Sequence, residues 1–214
     1  MSIKRKVRQS KGKPRNLSRF RFPQIWETLP RAMEPGEVKR LLSVINNSRD
    51  KAMILILLRT GLRIRELLKL KADDLNLESQ MIFLSEGAKN GIDRVVHISD
   101  DARDALVIWL KKRDANKESL FYAASREGFT YAGVRAMFKK CLDKANLSHK
   151  EYSLHSLRHT CACDLLNAGM EPESLQLLLG HKCIESTYRC ARLTDKTRKE
   201  EYFRAMSIIE GEED

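Results

Sequence analysis

Four short stretches of this sequence set cationic or imidazole side chains where they could handle a negatively charged group. In Thr60-Gly61-Leu62-Arg63-Ile64-Arg65-Glu66, a glycine separates two helical patterns and leaves Arg63 at the start of the second. A guanidinium beside the free N–H groups of a helix start makes an anion site. Glu66 follows within one helical turn, spaced to pair with Arg63. Lys89 adjoins the turn signal Asn90-Gly91, so its long ammonium side chain lies beside a hairpin tip and could reach into a groove. In His155-Ser156-Leu157-Arg158-His159, residues three apart share a helix face. His155 and Arg158 then converge while Leu154 and Leu157 pack inward, and an imidazole beside a fork of donors suits a phosphodiester. Leu177-Leu178-Leu179-Gly180-His181 places a histidine at the start of a new element. Taken singly, each stretch has an ordinary alternative. Arg63 and Lys89 read as solvated surface cations, Glu66 as a surface ion pair, and His155 as a core histidine beside an exposed arginine.

The elements that must position these groups are mostly helical. Val38, Leu41, Leu42 and Ile45 recur at helical spacing behind Pro35, and a more buried helix spans Lys51 to Arg59 before Gly61. Met81 to Leu84 and Arg94 to Ile98 are β-leaning runs on either side of Asn90-Gly91, which predicts a hairpin or small sheet. Helical spacing returns at Ala102, Ala105, Leu106 and Trp109, and again from Val134 through Met137, Phe138, Cys141 and Leu142 to Ala145. A further helix runs from about Ser153 to Gly169, another from Pro172 to Leu179, and short helical pieces from Ile184 to Cys190 and Lys199 to Met206. The fold class is mainly α with a small antiparallel β-sheet (α+β).

Charge points to the partner. The 214 residues carry 40 Lys and Arg against 29 Asp and Glu, a formal net charge of +11, which favours a polyanion. Most of the excess lies in residues 1–28, where nine basic residues face one acid, Glu27. With Gly12, Pro14 and Pro23 interrupting it, this segment reads as an arm or linker rather than a folded unit. It is either a solvated tail or an arm whose Lys4, Arg5, Lys6, Arg8, Lys11, Lys13 and Arg15 neutralise phosphates. The longest apolar run, Ala52 to Leu58, is far short of the ~20 residues of a membrane span. The five cysteines, Cys141, Cys161, Cys163, Cys183 and Cys190, are odd in number and contain no Cys-x-x-Cys pair. That favours neither a disulfide framework nor a thiolate metal site, and the expectation is a soluble, cytoplasmic protein with no membrane partner.

Together, in order, the four stretches resemble the tyrosine recombinase (phage integrase) family, whose catalytic domain is matched from about Leu29 to Met206. Thr60 to Leu70 is similar to the family's first-arginine box and Lys89 to Ile98 to its hairpin-lysine segment. Leu154 to Thr160 is similar to its His-x-x-Arg box and Leu178 to His181 to its third phosphate-contacting box. The resemblance implies the tyrosine recombinase catalytic fold in residues 29–214, preceded by the basic arm at 1–28. It further implies that Arg63 and Arg158 clamp the non-bridging oxygens of a scissile phosphate, with His155 and His181 hydrogen-bonding it and assisting proton movement. By the same resemblance Lys89 is the general acid for the leaving 5′-oxygen, and Glu66 orients Arg63. Fixed cationic donors of this kind stabilise an in-line displacement without a metal, so no metal or other cofactor is expected.

The chain departs from the family at the nucleophile. Family members carry a tyrosine about nine residues after the position of His181, and here that register holds Cys190. Tyr188 is near, but two residues along a helix turn it roughly 200° away, so an alternative nucleophile there needs a broken or shifted helix. A cysteine sulfur stops several ångströms short of a phenolic oxygen, which leaves a recombinase with crippled transesterification, by natural loss or by an engineered change. The family's helical core-binding domain is also not matched ahead of Leu29, where only the basic arm stands. Two functional classes follow: a site-specific recombinase working through a covalent 3′-phosphotyrosyl-type intermediate, and a non-catalytic DNA-binding or architectural relative. The implied partners are double-stranded DNA and, on it, further copies of the chain in a tetrameric synapse. Lys199 to Ile209, with Tyr202, Phe203, Met206 and Ile209 on about one face, is either an exchanged C-terminal helix or one that packs on its own domain.

Overall fold

The computed structural model describes residues 31–85, 93–123, 128–180, 202–207, 209 and 211. Helix α1 (Pro35–Ser43) begins with proline at its first turn, where the missing N–H costs nothing. Helix α2 (Ser48–Thr60) is capped by Asn47, whose side chain accepts from the Arg49 and Asp50 N–H groups at 3.0 and 3.3 Å. Every residue from Ala52 to Leu58 is buried, so this helix is apolar all round and forms the axis of the core. It ends where Gly61 turns left-handed at φ 63° and donates its N–H to the Leu57 carbonyl. The very short α3 (Ile64–Leu67) follows at once.

The sheet has three antiparallel strands, β1 (Leu75–Asn76), β2 (Met81–Leu84) and β3 (Arg94–His97), in that order. Ile82 pairs with Val96 and Phe83 with Val95. Ile82, Leu84 and Val96 face the core while Phe83 and Val95 face out, the period-2 alternation of a sheet with one buried face. β1 leaves no mark in the sequence, because two residues are too few to show a period.

Helices α4 (Asp100–Leu110) and α6 (Leu154–Asn167) pack against α2, and α5 (Tyr131–Lys144) closes on α1. Helix α7 (Pro172–Leu179) joins α6 through a smaller apolar cluster of Ala162, Leu166, Leu175 and Leu179. One buried polar latch ties α1 to the segment before α6. Glu37 is 5% exposed and accepts from the Tyr152 hydroxyl at 2.5 Å and the Glu34 N–H at 2.9 Å, with Lys150 Nζ 3.4 Å away. Burial works to raise the Glu37 carboxyl, but the Tyr152 hydroxyl, the Glu34 N–H and Lys150 outweigh it and hold it below its ordinary value. Residues 202–207 are helical, with Tyr202, Phe203 and Ile209 exposed. Among the described residues no helix is long and apolar enough to cross a membrane. The expectations for the arm at 1–28 and the helical piece at 184–190 lie outside the described residues.

Candidate active site

The left-handed turn at Gly61 delivers Arg63 to the N-cap of α3, as its spacing predicts. The backbone N–H and the side chain of Arg63 are both engaged there. The Glu66 carboxylate turns back on them: Oε2 accepts from the Arg63 N–H at 2.7 Å and Oε1 from Arg63 Nη1 at 2.9 Å. Arg94, at the start of β3, donates Nη2 to both Glu66 oxygens at 2.9 Å. Burial raises the Glu66 carboxyl, but the Arg63 N–H, the Arg94 hydrogen bond and charge and the Arg63 side chain together hold it below its ordinary value. The Arg63 side chain is 42% exposed while Arg94 and Glu66 are 11% and 9% exposed, so Arg63 faces solvent with the other two behind it.

Arg63 reaches further. Its Nη2 donates to the Gly180 carbonyl at 2.8 Å, across 117 positions of sequence. Arg158, from α6, does the same from the interior: Nη1 donates to the Gly61 carbonyl at 2.6 Å and Nη2 to the Leu179 carbonyl at 2.9 Å. These carbonyls close the C-terminal ends of α2 and α7, where unpaired acceptors and the negative end of the helix dipole both favour a guanidinium. Two helix ends are thus turned toward one pair of arginines. Gly180 lies against the third: a Cβ added there would stand 3.1 Å from the Arg94 guanidinium carbon.

On α6, Leu154 and Leu157 pack inward as expected, but the polar pair is reversed relative to the ordinary alternative. Arg158 is the buried member, 5% exposed, and His155 is the one that meets solvent. Partial burial, then the charges of Arg158 and Arg63, hold the His155 pKa below its ordinary 6.5, which favours the neutral imidazole. Arg63 and Arg158 bond the adjacent carbonyls of Gly180 and Leu179, and His155 lies one helical turn before Arg158 on α6. His159, a turn further on, is likewise lowered by burial and then by His155.

Arg63, Glu66, His155 and Arg158 are therefore brought together, and Arg94, which motif spacing does not single out, joins them. The sequence does hold a signal for it: Arg94 shares a strand face with the buried Val96, and an inward-facing cation requires a partner. Lys89, His181, Tyr188 and Cys190 lie outside the described residues. Among the described residues no three His, Cys, Asp or Glu side chains cluster as metal ligands.

Comparison with known proteins gives the family. The tyrosine recombinase XerA of Pyrococcus horikoshii is 32% identical over 92% of this chain and 69% of its own length. The tyrosine recombinase XerD of Listeria innocua is 31% identical over 84% of this chain and 64% of its own length. Among solved structures, the XerA recombinase superposes with a TM-score of 0.76 at 28% identity, covering 83% of this chain and 64% of that one. The Tn1549 transposon integrase in complex with circular intermediate DNA gives 0.70 at 27% identity, covering 84% and 68%. The chain thus spans about two thirds of the length of these relatives. The phage integrase family profile matches residues 31–197, well over half the sequence, and the chain belongs to that family, the tyrosine recombinases.

Proposed function

We propose that this chain is the catalytic part of a site-specific DNA recombinase whose phosphate clamp is intact and whose nucleophile position holds Cys190 in place of tyrosine. The carrying observation is the pair Arg63 and Arg158, each fixed by carbonyls from helix ends far apart in sequence. Donors locked in this way need no reorganisation when charge develops on the equatorial oxygens of a phosphodiester. His155, neutral and facing solvent beside them, can donate one hydrogen bond to the same phosphate. In the family's reaction a tyrosine hydroxyl attacks phosphorus, a 3′-phosphotyrosyl bond forms, and the 5′-oxygen leaves with a proton. Lys89 and His181 are assigned to the proton transfers by the resemblance alone. With Cys190 at the attacking position, the first bond does not form at a useful rate.

Double-stranded DNA is the proposed partner, supported by the net charge of +11 and by the DNA-bound state of a similar protein, the Tn1549 integrase. The exposed Tyr202, Phe203 and Ile209 support self-association on DNA through the C-terminal segment. A domain division at residue 28 and a cytoplasmic, nucleoid-associated location complete the reading.

Cys190→Tyr tests it. The variant is incubated with a nicked duplex selected from a randomised pool by its binding to the chain, and covalent protein–DNA adducts are resolved by denaturing electrophoresis. The expected result is an adduct on the introduced tyrosine in the variant and none in the parent. Efficient adduct formation on Cys190 itself overturns the proposed impairment. Tight DNA binding without adduct in Cys190→Tyr favours the second reading, a non-catalytic DNA-binding relative, whose supporting observation is Cys190 itself.

A further inference from the structure

Glu66 has one negative charge and two arginines. Its carboxylate bonds the backbone N–H and Nη1 of Arg63 and, with both oxygens, Nη2 of Arg94. Were Arg63 its only cationic partner, the carboxylate would cancel the charge that Arg63 offers to an anion. Positioning and charge are in conflict at Arg63: the group that orients the guanidinium also neutralises it. Arg94 is the buried cation of the pair, 11% exposed against 42% for Arg63.

From this juxtaposition we propose that Arg94 is a positioning residue that balances the charge of Glu66, so that Glu66 can aim Arg63 while the three-residue cluster keeps a net charge of +1 toward a bound phosphate. The placement serves a second end. Arg94 opens the strand that follows the hairpin segment, and its guanidinium lies against Gly180 at the end of α7, where any Cβ would come within 3.1 Å. One side chain thereby ties β3, the start of α3 and the C-cap of α7 to a common register. The proposal rests on the phosphodiester reading only for the identity of the anion; the charge balance itself is a property of the unliganded protein.

Two readouts separate these. The first needs no ligand: the His155 imidazole is titrated by NMR in the full chain, with Arg158 and Arg63 the charges that act on it. Arg94→Gln, which keeps a hydrogen-bond donor to Glu66, should move the His155 pKa upward, because the cluster falls from +1 to neutral. Arg94→Lys should leave it in place, and adding Glu66→Gln to Arg94→Gln should return it to the parent value. The second readout is inorganic phosphate affinity, expected to fall about ten-fold in Arg94→Gln and to recover in the double variant and in Arg94→Lys. Thermal melting of each variant establishes that it is folded, and the double variant holds no uncompensated carboxylate should Arg94→Gln alone lose the fold. An unmoved His155 in Arg94→Gln, or a double variant no closer to the parent than the single one, overturns the proposal. Phosphate that fails to bind the parent, with His155 moving as described, overturns the phosphodiester reading and leaves the charge balance standing.

Discussion

Replacing Gly61 by alanine should damage both stability and the site, and the structure sets the size of the effect. Gly61 sits at φ 63°, where an L-residue is disfavoured by roughly 1–2 kcal/mol. The new Cβ would also stand 2.5 Å from Leu179 Cδ2 and 3.4 Å from Cys161 Sγ. Unstrained carbon pairs lie at about 3.5–4.0 Å, so Leu179 must move by about an ångström. It has nowhere to go, being 1% exposed and packed on Ala162, Leu166 and Leu175. Overpacking of this kind costs about 1–3 kcal/mol, for a total of roughly 2–5 kcal/mol. In a chain of this length that corresponds to a fall in Tm of about 4–20 °C. Gly169→Ala is the matched control, because Gly169 has φ 93° but nothing within 4 Å of an added Cβ. Melting both variants by circular dichroism isolates the collision from the backbone strain. Because the Leu179 and Gly180 carbonyls hold Arg158 and Arg63, Gly61→Ala should also lose phosphate affinity where Gly169→Ala does not. A Gly61→Ala variant that melts no lower than Gly169→Ala refutes the packing of α7 against the α2 turn.

Arg158→Lys cannot reach both the Gly61 and Leu179 carbonyls with a single ammonium, and in a Cys190→Tyr background adduct formation should fall about 10²–10³-fold. Single-turnover kinetics would check this, and a loss below ten-fold would count against the clamp. Tyr152→Phe removes the hydroxyl donated to Glu37 and should cost about 1–3 kcal/mol in urea unfolding. Since folded Glu37 is held below its ordinary 4.5, the latch stabilises fully above that pH and fades as the pH falls through the folded value. The gap between parent and Glu37→Gln should therefore narrow below pH 4.5; a gap that widens there contradicts the latch. Neutralising Lys4, Arg5, Lys6, Arg8, Lys11, Lys13 and Arg15 should flatten the salt dependence of DNA binding, by ~0.9 in log–log slope for each phosphate the arm no longer neutralises. An unchanged slope would mark residues 1–28 as a solvated tail.

What the sequence determines here is local. The unbroken apolar run of α2, the proline that opens α7 and the glycines after α2, α6 and α7 are written into short stretches, so the helices are legible where they occur. The resemblance to the recombinases rests on stretches of the same kind. Period and capping say nothing, however, about which helix ends meet. The hydrogen bonds that make the site join residues 117, 97 and 28 positions apart, Arg63 to Gly180, Arg158 to Gly61 and Arg94 to Glu66. Only tertiary packing decides that Arg158 is buried while His155, on the same turn, faces solvent. Only packing sets Arg94 against Glu66, because a cation entering a core goes where a carboxylate already waits for it. Burial fixes the partners of a charge through the cost of leaving it unpaired, and that cost exists only once the chain has folded.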